Sequence, residues 1–308
     1  MRKILIRIQS DALGDTIAWF PYVEEYRIKH DLDELYVYSK WKDLFEKTYP
    51  SLIFNPKESD DFFDEIIEIG LNHNYFNGIE YKYPFRTPLQ KYCSDILGFE
   101  VFNELRPNVF VKNRYDKVDY KKIVSIGTQS TAQAKYWNNP NGWEKVIEFL
   151  GGEGYTTYCL DRYRFYGNPD VGMLNEIPKS CIFEGDVGID RIISLLLVSD
   201  FFIGLSSGLS WLAWALNVPV IMISGFTHPI NEFQTNIHRI FNSDVCNSCW
   251  NKSEFDRGKW DWCPSKFKKK ELFECTKSIY PSDVISKMRE IISTKRWYLD
   301  KNDIAIEI

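Results

Sequence analysis

Four cysteines crowd towards the end of the chain in the pattern Cys246-x2-Cys249-x13-Cys263-x11-Cys275. Thiolates are soft ligands that favour tetrahedral Zn or Fe, so the segment from 244 to 278 reads as a metal knuckle. Four protein ligands leave no coordination position open, and such an ion would support the fold rather than the chemistry. Two disulfides could use the same residues. The opening MRKILIRIQSDALGD, however, puts Arg7, Gln9, Ser10 and Asp11 where a signal peptide needs its apolar centre, and no run of roughly 18 apolar residues exists. A cytoplasmic protein is expected, and its reducing surroundings favour thiols over disulfides. Cys93, Cys159 and Cys181 stand apart from the cluster, the last two on expected strands as core thiols.

Three further groupings could bind or react. Leu13-Gly14-Asp15 follows the β-prone run Lys3 to Ile8 and precedes an apolar-periodic stretch from Thr16 to Ile28. A carboxylate in the first turn of a helix is kept ionised by the helix dipole and can take a proton from an acceptor hydroxyl. The same Asp could do no more than cap the helix, and Asp11 is the reserve candidate for a base. The polar loop GTQSTAQAKYWNNPNGW, residues 127 to 143, holds one cation, Lys135, among Thr128, Ser130, Thr131 and Gln133. A lysine so placed can neutralise a leaving diphosphate, unless it is simply a solvated surface residue. In Ile203 to Trp211 a strand passes through Ser206, Ser207 and Gly208 into a helix beginning near Leu209. Backbone N–H groups at such a start, flanked by hydroxyls, suit a nucleotide diphosphate, with an ordinary cap as the plainer alternative. The run fits neither G-x-G-x-x-G nor a Walker pattern, which argues against dinucleotide binding and NTP hydrolysis.

Phe226 and Thr227 follow a strand on this nucleotide side and are counted with Gly14, Thr128, Ser130, Lys135, Ser206, Ser207, Gly208 and Leu209 as the donor set. His228 beside them lacks an acidic orienter and is a poor base. Asp31-Leu32-Asp33 has a cation-binding form but lies in a turn, where a charged turn is the better reading, and no divalent cation is expected for catalysis.

These residues need a scaffold that brings the ends of several strands together. Strands expected at Lys3 to Ile8, Glu34 to Tyr38 and Ile66 to Ile69 alternate with helices at Thr16 to Ile28 and Trp41 to Thr48. An irregular stretch from Asn72 to Thr87 leads to a helix at Leu89 to Leu97. After the polar break Asn113 to Lys122 a second series begins, with strands at Ile123 to Gly127, Tyr155 to Leu160, Cys181 to Phe183, Phe201 to Leu205 and Val218 to Ser224. Helices are expected between them at Trp143 to Leu150, Asp190 to Val198 and Leu209 to Leu216. The expectation is an α/β chain of two Rossmann-like doubly wound domains, 1–118 and 119–308, with a cleft between them and the small four-cysteine metal knuckle in the second. Its 308 residues suit two cores, and 44% hydrophobic with 26% charged residues is ordinary for a globular chain. A net charge of -5 removes long-range attraction for phosphate backbones. Nucleic acid is therefore excluded as a broad partner, and Lys266 to Lys270 reads as a solvated run.

Taken together, Leu13-Gly14-Asp15 after the first strand, Lys135 followed by Trp137, and the helix start after Phe201 to Leu205 resemble the heptosyltransferases of the GT-B fold. The cysteine cluster and the text around Gly127–Asn139, Ser206–Trp214 and Ser224–Phe233 are similar, more narrowly, to the bacterial autotransporter heptosyltransferases. That resemblance implies transfer of heptose from ADP-heptose to serine hydroxyls of an autotransporter adhesin, with inversion. It implies Asp15 as base, Lys135 as donor phosphate contact, Ser206 to Leu209 as nucleotide site and the four cysteines as iron ligands, with Zn as the alternative metal. Ser206-Ser207-Gly208 and Trp211 stand where lipopolysaccharide heptosyltransferases usually carry Asp-Thr-Gly and His, which argues against that branch. A lipopolysaccharide-core transferase and a non-catalytic nucleotide-binding scaffold remain the alternatives. Ring-forming members carry an additional N-terminal domain, whereas the first strand here starts at Lys3; a homo-oligomer is compatible with the resemblance, and stable membrane insertion is not expected.

Overall fold

The computed structural model describes residues 2–70, 75–76, 79–80, 87–112, 122–251, 255–256, 258–267 and 272–302. The chain opens with β1 (Ile4–Ile8), α1 (Leu13–Lys29), β2 (Leu35–Tyr38), β3 (Leu52–Phe54) and β4 (Glu65–Ile69). These strands form one parallel sheet in the order β3-β2-β1-β4. Helix α1 buries an unbroken run from Thr16 to Val23, because it lies between its own sheet and a helix of the second half.

The helix expected at Trp41 to Thr48 is a single tight turn at Lys42–Leu44. Phe45 turns inward and stacks on Phe20 with ring centroids 3.9 Å apart. Pro50 follows at once and disfavours helical geometry at Tyr49, so the segment leads into β3 instead. Next come the antiparallel pair β5 (Tyr75–Phe76) and β6 (Ile79–Glu80) and then α2 (Leu89–Ile96). Apart from that pair and Thr87, the stretch expected to be irregular from Asn72 to Thr87 lies outside the described residues, and so do 113–121 with the expected boundary at 118/119.

The second series runs β7 (Ile123–Ile126), α3 (Gly142–Gly152), β8 (Thr156–Cys159), β9 (Phe165–Asn168), β10 (Met173–Glu176), β11 (Ile182–Phe183) and α4 (Ile189–Val198). It continues with β12 (Phe201–Leu205), α5 (Gly208–Ala215), β13 (Val220–Ile223), β14 (Ile237–Ile240), α6 (Glu274–Lys277) and α7 (Pro281–Asn302). Six of its strands form a parallel sheet in the order β11-β8-β7-β12-β13-β14. The hairpin β9–β10, the edge strand β14 and helix α7 add to the expected elements. Strand β14 (IHRI) carries two polar residues and is paired on one side, while α7 packs on α3 through Val284, Met288 and Ile292.

In both sheets the first strand lies beside the fourth, β1 against β4 and β7 against β12. The connections reverse there, and the loops leaving the carboxyl ends of those strands diverge to leave a crevice. One apolar core runs from the first sheet through α1 into α5 and β13, with Trp211, Trp214 and Phe233 in mutual ring contact. Glu104 adds a polar tie, accepting bonds from the backbone N–H groups of Gln234 and Thr235 and from the Thr235 hydroxyl.

Candidate functional site

The two crevices open onto one cleft of about 350 Å³. Its walls come from the loop after β1 and the start of α1, the loop after β7, the β12–α5 turn, and the segment following β13. The closest approach is between two glycines. A Cβ on Gly208 would lie 3.0 Å from the Leu13 Cβ and 3.2 Å from the Gly14 nitrogen, and one on Gly14 would lie 3.0 Å from the Trp211 ring. Glycine at both positions lets the amino ends of α1 and α5 meet. The amino end of a helix carries N–H groups that have no intrahelical partner and a partial positive charge, so the meeting point of the two favours an anion.

On the α1 side, Asp15 is half-buried and accepts a hydrogen bond from the Ser10 hydroxyl at 2.6 Å. Asp15 stands in the first turn of α1 and not at its cap position, which is Ala12. Asp11 instead faces Lys40 at 2.9 Å and does not line the cleft. On the α5 side, buried β12 delivers Ser206 and Ser207 to the helix start, where Ser207 is extended and makes no capping bond. Ser206 donates to Glu232, which also pairs with Arg239. Arg239 in turn donates to the Thr227 hydroxyl at 2.9 Å, and Thr227 meets Ser224 at 3.0 Å. Glu232, 2% exposed, and Thr227 both line the cleft, so a buried charge pair fixes its floor.

The loop after β7 is anchored by Asp161 at the end of β8. The backbone N–H and the hydroxyl of Thr128 each donate to one Asp161 oxygen at 2.7 Å, and the Gln129 N–H donates to the other at 3.2 Å. Burial pushes the Asp161 carboxyl up, while these hydrogen bonds act to lower it. Further along, Gln133 bonds Asn138, Asn175 on β10 and the Trp260 indole N–H. The loop so fixed turns Gln129, Ser130, Thr131 and Lys135 towards the cleft.

Asp15, Gly14, Ser130, Lys135, Ser206, Ser207, Gly208, Leu209 and Thr227 therefore share one cleft. Two members of the expected donor set lie elsewhere. Thr128 is turned to Asp161, and Phe226 is buried against Trp250, Phe255 and Trp262. His228 accepts the Ile230 N–H at 3.2 Å and is not among the lining residues. Asp31 and Asp33 lie in the turn entering β2, at the amino ends of the strands and so at the opposite end of the sheet from the cleft. Glu232, Arg239, Asp161 and Trp250 line or frame the cleft and are not singled out by the sequence alone. Their partners lie on other elements, and an acidic residue before Phe233 or an aromatic after Cys249 carries no local pattern.

No disulfide joins any of the seven cysteines. Ser248 adopts a left-handed φ of 59° between Cys246 and Cys249, which makes the tight turn that a two-residue spacing between ligands requires. Burial pushes the Cys275 thiol up. No group of three ligands is drawn together at metal-binding distance among the described residues. Four sulfur donors are by their chemistry the soft ligand set that Fe and Zn favour. Among the described residues, no helix is long and apolar enough to cross a membrane.

Comparison with known proteins places these features. Residues 103–257 match the family model for glycosyltransferase family 9 (heptosyltransferase). The chain is 37% identical to the autotransporter heptosyltransferase Aah of Escherichia coli, over 99% of this chain and 77% of that protein. The crystal structure of TibC from enterotoxigenic E. coli, an iron-containing dodecameric glycosyltransferase, matches with a TM-score of 0.83 and 35% identity over 95% of this chain and 77% of that one. TibC has also been solved in complex with ADP-D-beta-D-heptose. BimC of Burkholderia thailandensis, named an inactive autotransporter heptosyltransferase, is 26% identical over 94% of this chain and 69% of that protein.

Proposed function

The chain belongs to the autotransporter heptosyltransferases, and from that membership we propose that it transfers heptose from ADP-heptose to serine hydroxyls of an autotransporter adhesin or a similar protein. Its fold is the GT-B arrangement of two Rossmann-like domains. The observation that carries the reading is the meeting of α1 and α5 at Gly14 and Gly208, which sets a carboxylate and an anion site on facing walls of one cleft.

In the proposed reaction Asp15 takes the proton of the acceptor hydroxyl as its oxygen bonds to the anomeric carbon. The bond from that carbon to the diphosphate breaks on the opposite face, which inverts the centre. The leaving ADP carries the electron pair away. Its charge is met by the amino end of α5 and by Lys135, with Ser130, Ser206, Ser207, Gly208, Leu209 and Thr227 lining the donor side. No divalent cation is needed for this step. Cys246, Cys249, Cys263 and Cys275 would hold an Fe ion, with Zn as the alternative, and its contribution would be to the folding of the knuckle. The iron in TibC supports that assignment, and its dodecamer supports a homo-oligomer here. Charged ADP-sugars do not cross membranes, which supports a cytoplasmic reaction.

The inactive relative BimC favours a second reading, a nucleotide-binding scaffold without transfer. Co-expression with an adhesin passenger, followed by mass spectrometry of its serine peptides, separates the two. Heptose on serines is the expected result. Bound ADP-heptose without transfer to protein would support the scaffold, and transfer to a lipopolysaccharide core instead would move the chain to that activity. Elemental analysis of anaerobically purified protein should find about one Fe or Zn per chain; absence of both would remove the metal assignment.

A further inference from the structure

Among the described residues lining the cleft, Trp250 alone comes from the cysteine segment. It follows Cys249 directly, in the short turn Cys249–Asn251. Its backbone N–H donates to the Phe226 carbonyl at 3.0 Å, and two residues earlier the Ser248 N–H donates to the Gly225 carbonyl at 2.7 Å. These two bonds lace the turn onto the loop after β13. The opposite side of that loop rests on the knuckle, since a Cβ on Gly225 would lie 2.5 Å from the Cys275 carbonyl. The Trp250 ring is held by Phe226 and Phe255, with centroids 5.8 and 5.4 Å away. Lys135 Nζ lies 5.9 Å from its ring centroid.

An indole fixed in this way offers a flat apolar surface next to the lysine assigned to the donor diphosphate. Cation and ring attract each other weakly at that distance, and an arriving phosphate would draw the ammonium without moving the ring. The group attached to that phosphate would then lie against the indole. Trp250 is bonded to the loop after β13 in the second half of the chain, whereas Asp15, where the sugar must present its anomeric carbon, stands on α1 of the first half. The nucleotide end of the donor is therefore the part nearest Trp250.

We propose that Trp250 is a donor-binding residue whose indole packs against the ADP moiety of the sugar nucleotide, so that the cysteine knuckle contributes a side chain directly to the donor site. The proposal rests on the function proposed above, and its test is independent of transfer. Stacking of a base on an aromatic side chain is lost on substitution by alanine, so Trp250→Ala should raise the Kd for ADP about tenfold or more in calorimetric titration. The Kd for ADP-heptose should rise by the same factor, with metal content and far-UV circular dichroism as in wild type. Trp250→Phe keeps a ring and should stay within about threefold of wild type. It should also abolish the part of the ADP-induced change in tryptophan emission that Trp250 supplies, a readout that serves even if the alanine variant fails to fold. An ADP affinity within about twofold of wild type in folded Trp250→Ala would overturn the proposal, as would an unaltered emission change in Trp250→Phe. Wild-type protein that binds ADP in this Trp250-dependent way yet glycosylates nothing would strike the transfer reading and leave this one standing.

Discussion

The two walls of the cleft touch at a pair of glycines, yet they are built in opposite ways. On the first wall Asp15 stands half-buried and accepts a hydrogen bond at 2.6 Å from a hydroxyl five residues away. On the second wall the supporting charges are almost dry and come from separate elements: Glu232 from after β13, Arg239 from β14 and Asp161 from just after β8. The difference follows from the work each wall does. A proton acceptor must be reached by its substrate and keep lone pairs free for it. A site for a leaving diphosphate gains from donors fixed beforehand in a dry frame, because nothing then has to reorganise as charge develops.

If that contrast holds, a change to the second frame should be felt in folding. Glu232→Gln leaves Arg239, whose side chain is only 10% exposed, without its counter-charge. Breaking one partner of a buried pair costs about 3–5 kcal/mol, so the unfolding free energy from urea titration should fall by that amount and the midpoint should drop with it. Ser206 would lose its charged acceptor as well, so donor affinity should fall in the fraction that remains folded. An unchanged midpoint would show that the second wall does not depend on this pair.

Asp15→Asn should do the reverse. The change keeps the size and removes the ability to take a proton, so turnover should fall by roughly 100-fold or more while the unfolding midpoint and ADP affinity hold. Full activity in Asp15→Asn would end its assignment as base. Lys135→Ala lies between the two extremes. The residue is half-buried in a polar loop, so little packing is lost, but a charge-assisted contact of about 1.5–3 kcal/mol to the diphosphate goes with it. Donor use should weaken about tenfold or more with stability nearly constant. Equal donor affinity and turnover in the variant would exclude Lys135 from the site.

The same contrast explains how much of the site is legible in the sequence. The first wall is written in consecutive residues, a β-prone run, Leu13-Gly14-Asp15 and an apolar helix, and the structure places Asp15 in the cleft. The strand ends of the second sheet are equally legible, because β7, β12 and β13 are largely buried apolar runs. The second frame is not. Thr128 reads as a donor contact because hydroxyls in a polar loop suggest phosphate, and nothing nearby announces the carboxylate 33 positions on that takes up its N–H and hydroxyl. Phe226 groups with Thr227 by adjacency, whereas the bend at 225–227 turns one into a ring cluster and the other into the cleft. Strand β14 escapes for a related reason: its conspicuous residue, Arg239, is polar because it points at Glu232.

The smallest expected effect is also the sharpest control on the first wall. Asp11 is the nearest other carboxylate in sequence to Asp15, and only the fold tells them apart. Its side chain is 78% exposed and pairs with Lys40, itself 56% exposed, at 2.9 Å, while its carbonyl accepts the Trp41 indole N–H at 3.0 Å. A solvent-exposed pair of this kind is worth about 0–1 kcal/mol, and Asn leaves the backbone contact in place. Asp11→Asn should therefore keep turnover within about twofold of wild type and hardly move the unfolding midpoint. Raised salt, which screens exposed pairs, should shrink even that difference. If instead Asp11→Asn abolished transfer and Asp15→Asn preserved it, the base would sit outside the cleft as described. The loop from Gln9 to Ala12 would then have to fold inward over the acceptor, and the first wall would be a moving part rather than a preset one.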